Sequence, residues 1–130
     1  MDEFTISIVL PVTAERLYKA WLDSKEHTAF TIQPANIDPE LEGSFSVWDG
    51  YIVGENLELQ PFSRILQSWR TSDFPEDAED SMLELSFIET NEGTELMIHH
   101  YNLPEGHGPG YEEGWHDYYF VPMEDYFSNL

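Results

Sequence analysis

Five histidines and seven tyrosines are the side chains of this 130-residue sequence best suited to moving protons or holding a metal, and there is no cysteine to add a thiolate. Disulfides and thiol catalysis are thereby excluded. His99 and His100 are adjacent in a stretch that reads as a strand, so they point to opposite faces of a sheet and do not chelate one ion. His100 continues the alternation Leu96, Ile98, His100 and is expected to face the interior, where its ring needs a buried acid, a tyrosine or a ligand as partner. With Tyr51 or Tyr119 it makes an acid–base pair of the kind a cyclase- or hydrolase-like reaction uses. A lone histidine on an apolar face is more often a satisfied structural residue, and the reading favours that role over an enzyme. His107 and His116 flank a glycine loop near Glu112 and Glu113 but lack zinc-site spacing, so no metal and no cofactor is expected.

Two further segments invite chemistry and decline it. Residues 72–80, SDFPEDAED, have neither the regular oxygen ligands nor the turn glycine of a calcium loop and read as an exposed connection. Gly106, Gly108 and Gly110 lack the strand-turn-helix context of a nucleotide site and read as a hinge or lid loop. The aromatic set Trp48, Tyr51, Trp69, Tyr101, Trp115, Tyr118 and Tyr119 reads first as core. Because indole and phenol rings carry polar tips, the same set would also suit a cavity for a small, mostly apolar ligand.

The elements that would position these residues are organised around the last stretch. Across residues 110–130, Trp115, Tyr119, Pro122, Met123, Tyr126 and Phe127 form an apolar helical stripe, opposed by Glu112, Glu113, Asp117, Glu124 and Asp125. A stripe so wide needs a large surface to lie on. Phe4, Ile6, Ile8 and Leu10 alternate as one strand face, and Pro11 ends the strand. Thr13 is placed to cap a helix through Leu22 with Leu17, Ala20 and Trp21 inside, and Ser24 starts a second short helical segment over residues 25–30. These two helices read as a brace, not a core layer. Strands are expected over residues 33–37, 43–48, 51–59 and 64–70, with Asp49-Gly50 making a type I′ hairpin turn and Ile65 and Trp69 sharing a face. Residues 81–89 and 94–101 form a second hairpin around Asn91-Glu92-Gly93, with Leu83, Leu85 and Phe87 facing the core. Residues 103–109 are a loop into the closing helix. One strand, two short helices, a run of antiparallel strands and a long helix make an α+β class, with a sheet wrapped around the C-terminal helix.

Composition bounds the partners. Twenty-six acids against five cations (Arg16, Lys19, Lys25, Arg64, Arg70) give a net charge of −21, which repels phosphate backbones and anionic membranes. Nucleic acid and membrane insertion are excluded as partners, and solubility is the simplest use of the acid excess. The length fits one domain over residues 1–130, and the 41% hydrophobic and 15% aromatic content argues against disorder. MDEFTISIVL has no basic leader region, so a cytoplasmic protein, monomer or homodimer, is the expectation.

Several motifs carry a resemblance. FSVWDGYIVGENLEL, RILQSWR, GTELMIHHYNLPEG, the final GW with YYFVPMEDYF, and PVTAERLYKAW near the N-terminus resemble the family related to the C-terminal part of the activator of the ninety-kilodalton heat-shock protein ATPase. That family is similar to START domains, the birch-pollen allergen and polyketide cyclases in the helix-grip superfamily. The resemblance implies a curved antiparallel sheet of about six or seven strands gripping the C-terminal helix, often with an apolar cavity between them. Trp48, Tyr51, Trp69, Leu85, Ile98, His100, Trp115, Tyr119 and Met123 would line that cavity, His100 matching the histidine of the family's His-x-x-Leu-Pro pattern. It implies either a small hydrophobic or amphipathic ligand or a chaperone as partner. Members acting on the chaperone also carry a separate N-terminal domain, for which a stand-alone domain of this length has no room.

Overall fold

The computed structural model describes residues 1–129, so Leu130 of the closing stretch lies outside the described residues. The first strand, β1 (Asp2–Leu10), follows its pattern: Ile6 and Leu10 are buried while Thr5, Ser7 and Val9 are exposed. Thr13 Oγ1 accepts from the Arg16 backbone N–H at 3.1 Å and caps α1 (Ala14–Leu22). Asp23 repeats the device for α2 (Ser24–Thr31), accepting from the Glu26 N–H at 2.9 Å. These helices are more than a brace. They bury Leu17, Tyr18, Trp21, Leu22, His27 and Phe30, because each has one face against the sheet or the closing helix.

The strands β2 (Ala35–Ile37), β3 (Ser44–Val47), β4 (Ile52–Gln60), β5 (Arg64–Thr71), β6 (Ser81–Thr90) and β7 (Gly93–Leu103) follow. With β1 they form one seven-stranded antiparallel sheet in the order β1-β7-β6-β5-β4-β3-β2. β1 thus pairs with the last strand and forms one edge of the sheet. The first hairpin keeps its turn but widens: Asp49 and Gly50 have φ of 54° and 87°, as expected, yet Trp48 also has φ 62°. The ladder ends at Val47 opposite Ile52, which leaves Trp48 and Tyr51 outside it and free to face the helix. In the second hairpin Thr90 pairs with Gly93, so only Asn91 and Glu92 form the turn. The connection over residues 72–80 is not wholly exposed, since Phe74 is buried and Arg70 holds the Ala78, Pro75 and Glu76 carbonyls.

A bulge between Asn56 and Glu58 bends β4, and the strand approaches β5 closely at Gly54. A Cβ there would lie 1.9 Å from the Ser68 carbonyl oxygen and 2.7 Å from the Phe45 ring. Gly54→Ala is therefore expected to cost about 3 kcal/mol by overpacking, measured as a lower urea midpoint with the slope unchanged.

The closing helix runs as α3 (Gly108–Trp115), a π-turn (His116–Phe120) and α4 (Val121–Ser128). The Val121 N–H reaches back five residues to the His116 carbonyl. The wide turn has a physical reason. Trp115, Tyr119, Met123 and Phe127 recur every four residues, which outruns the 3.6-residue turn, and one wider turn takes up the surplus so that all four stay buried. It also brings in Phe120, which the stripe omits.

Candidate functional site

Between the widened hairpin, β5 and α3 lies a cavity of about 470 Å³, in the range of small-molecule sites. Its floor is Ile52, Trp69, Trp115 and Tyr119, all buried, and its rim is Asp73, Gly106 and Tyr118, all exposed. The Trp69 and Trp115 rings lie 6.1 Å apart, and Trp115 tilts against Tyr119 at 4.5 Å. Trp48 meets Tyr118 edge-on at 5.0 Å, so the hairpin and the helix touch across the opening. One wall is polar. The Tyr51 hydroxyl donates to Asp73 Oδ2 at 2.5 Å, and Thr71 Oγ1 lies 2.6 Å from the Tyr111 hydroxyl. Burial and the Asp73 hydrogen bond push the Tyr51 phenol up, and burial raises Tyr111, so both stay protonated donors at neutral pH.

Behind this cavity the interior is filled. The gap among Trp21, His27, Phe45 and Gln67 amounts to about 10 Å³, room for one water molecule at most. Leu85, Ile98, His100 and Met123, expected in the cavity lining, are fully buried in this packed region, because their strand and helix positions lie deeper than the opening between hairpin and helix. Trp48, Tyr51, Trp69, Trp115 and Tyr119 do line the cavity. Tyr101 faces the other side of the sheet beside His99, 4.7 Å ring to ring.

His100 is held by two hydrogen bonds that specify its tautomer. The Trp115 indole N–H donates to Nδ1 at 3.0 Å, so Nε2 carries the proton and donates to Ser81 Oγ at 2.9 Å. Ser81 in turn donates to the Trp69 carbonyl at 2.8 Å. The partners are thus an indole and a hydroxyl, not the acid, tyrosine or ligand expected. Burial, with a smaller contribution from His99, lowers the His100 pKa to about 3. His27, which no sequence pattern marks out, is similarly enclosed. Its Nδ1–H donates to the Trp21 carbonyl at 2.9 Å, and the Tyr119 hydroxyl donates to Nε2 at 2.9 Å. Burial lowers the His27 pKa to about 4 and raises that of Tyr119. Tyr51 and Tyr119 thus make their hydrogen bonds to Asp73 and His27, not to His100.

Tyr118, named in the aromatic set, lines the cavity too, and the lining residues absent from the cavity reading are Ile52, Asp73, Gly106, His107, Gly110, Tyr111 and Gly114. Tyr111, Gly114 and Tyr118 recur at helical spacing one position beside the apolar stripe, and that second face was a legible signal. Asp73 and His107 come from loops, which carry no period. No group of His, Asp and Glu among the described residues is arranged to hold a metal ion, and no described helix is long and apolar enough to cross a membrane.

An antiparallel sheet closed around a C-terminal helix, with an aromatic cavity at one end of the grip, defines a helix-grip domain. The family model for the Activator of Hsp90 ATPase homolog 1-like protein matches residues 11–128, and the chain belongs to that family. It is 29% identical over 126 residues to the human activator of 90 kDa heat shock protein ATPase homolog 1, covering 97% of this chain and 37% of that protein. The mouse protein matches with the same identity and coverage, so the chain spans little more than a third of these relatives. Among solved structures, an HSP90 activator from Plasmodium falciparum superposes with a TM-score of 0.87 and 25% identity, covering 97% of this chain and 96% of that one. The Aha1 dimer from Colwellia psychrerythraea shares the fold with a TM-score of 0.80 at 12% identity, covering 98% and 96%.

Proposed function

We propose that this domain binds a small amphipathic molecule in the cavity between hairpin and helix. The observation that carries the reading is the shape of the interior: it leaves room for one water molecule at most behind Trp115, yet holds about 470 Å³ in front of it. Gly110 and Gly114 support it. Both line the space from α3, and a Cβ at Gly110 would meet nothing within 4 Å, while one at Gly114 would meet only Tyr118, at 3.9 Å. Gly114→Ala is expected to stabilise the helix by about 0.5–1 kcal/mol with the fold unchanged. Gly114→Leu would fill the space. The test is saturable binding of an environment-sensitive fluorescent probe with an aromatic body: the wild type and Gly114→Ala should bind one equivalent, and Gly114→Leu should lose at least tenfold in affinity. A wild type without saturable binding would refute the reading.

A second reading, favoured by the likeness to the Plasmodium falciparum HSP90 activator, is association with the heat-shock chaperone. The net charge of −21 suits a basic patch on such a partner. Salt-sensitive stimulation of the chaperone's ATP turnover by the purified protein would support it, and an unchanged turnover at low salt would sink it.

A further inference from the structure

The chemistry of the cavity wall narrows the ligand class. Of the residues lining it, none is lysine or arginine, and Asp73 supplies the carboxylate. Asp73 Oδ2 accepts the Tyr51 hydroxyl at 2.5 Å, while Oδ1 takes no hydrogen bond from the described residues and stands at the opening. Around it the rings are set at steep angles: Trp48 to Tyr51 at 71°, Trp48 to Tyr118 at 67°, Trp69 to Tyr111 at 83°. Rings crossing at such angles present faces from several directions, and a ring face carries the negative part of the aromatic quadrupole. An anionic ligand such as a fatty acid would meet a carboxylate, ring faces and a strongly negative protein, with His107 in the lining but no lysine or arginine to receive it. A cation meets the opposite situation.

Resting on the reading that the cavity is a ligand site, we infer that its occupant is an organic cation: a methylated ammonium carried on an apolar or aryl body. The ammonium sits at the Trp48, Tyr51 and Tyr118 faces beside Asp73, where cation–π attraction and the carboxylate act together. The apolar body lies on Trp69 and Trp115. Methylation matters because it weakens hydration of the charge, so less is lost when it leaves water.

The test compares benzyldimethyl(2-hydroxyethyl)ammonium with its carbon isostere, 3,3-dimethyl-4-phenylbutan-1-ol, by tryptophan fluorescence and calorimetry at low salt. The wild type should bind the ammonium at one equivalent and at least tenfold more tightly than the alcohol. Asp73→Asn and Trp48→Leu should each erase most of that preference while still binding the alcohol, which also shows that these rim variants are folded. Equal affinity for the two compounds overturns the cation assignment and leaves the cavity reading standing. Saturable binding of neither overturns both. A preference retained in both variants also overturns the assignment, because the charge would then be read elsewhere. Vesicles of phosphatidylcholine distinguish the source of the group: co-sedimentation lost in Asp73→Asn assigns a lipid headgroup, and binding of the soluble ammonium alone assigns a free small molecule.

Discussion

Acidification from pH 7 to pH 5 is expected to remove about 4 kcal/mol of folding stability, a large share of the roughly 5–15 kcal/mol typical of a domain. The cause is the pair of enclosed histidines. Their folded-state pKa values, about 4 for His27 and about 3 for His100, lie below the ordinary 6.5, so the unfolded chain takes up protons first. The sign follows: the stabilisation is complete above pH 6.5, and it is lost as pH falls from there toward each folded value. Each histidine then contributes about 1.4 kcal/mol per pH unit, or about 2 kcal/mol by pH 5. Burial is the cause in both, so solvent screening does little to soften it. Urea unfolding at pH 7, 6 and 5 measures the slope, and a double variant His27→Gln, His100→Gln should flatten most of it. A slope unchanged in that variant would assign the loss to the carboxylates.

Trp115→Ala should cost about 3–5 kcal/mol and abolish ligand binding at once, because one side chain serves both ends of the molecule. Trp115 is buried, forms the floor of the cavity, and donates its indole N–H to His100 at 3.0 Å. Trp115→Phe separates these roles. It keeps an aromatic floor but leaves His100 Nδ1 buried without a donor, which costs about 1–3 kcal/mol. Probe affinity should fall only modestly in the phenylalanine variant, while thermal stability drops and the His100 ring resonances shift in NMR. If both variants lose stability equally, the hydrogen bond that both remove accounts for the effect; if the phenylalanine variant loses none, packing does.

The fold was legible because its signals are periodic. Alternation exposed β1, β6 and β7; Thr13 marked the first helix; and the closing stripe was spelled out from Trp115 to Phe127. The candidate site was legible only in part, for a geometric reason. Alternation tells which residues face inward, but inward for Ile98 means packed core, whereas inward for Trp69 means an open wall. That difference depends on how far the hairpin stands from the helix, and it was set by Trp48 and Tyr51 leaving the ladder. His27 escaped notice because its partners, the Trp21 carbonyl and the Tyr119 hydroxyl, are a backbone group and a residue 92 positions away.

The π-turn at His116–Phe120 gears two halves of one rod to different tasks. Upstream, Tyr111 and Trp115 shape the cavity; downstream, Met123 and Phe127 are buried, Phe127 against the Phe30 ring of α2 at 5.8 Å. Were that turn to tighten to ordinary pitch with every residue kept, everything beyond would pivot by roughly 100° relative to everything before. Phe127 would swing off its seat while Trp115 stayed on its own. The extra residue therefore works as a phase adjuster: a one-residue deletion at this point would let the turn close to ordinary pitch with Trp115 and Phe127 both still on their seats.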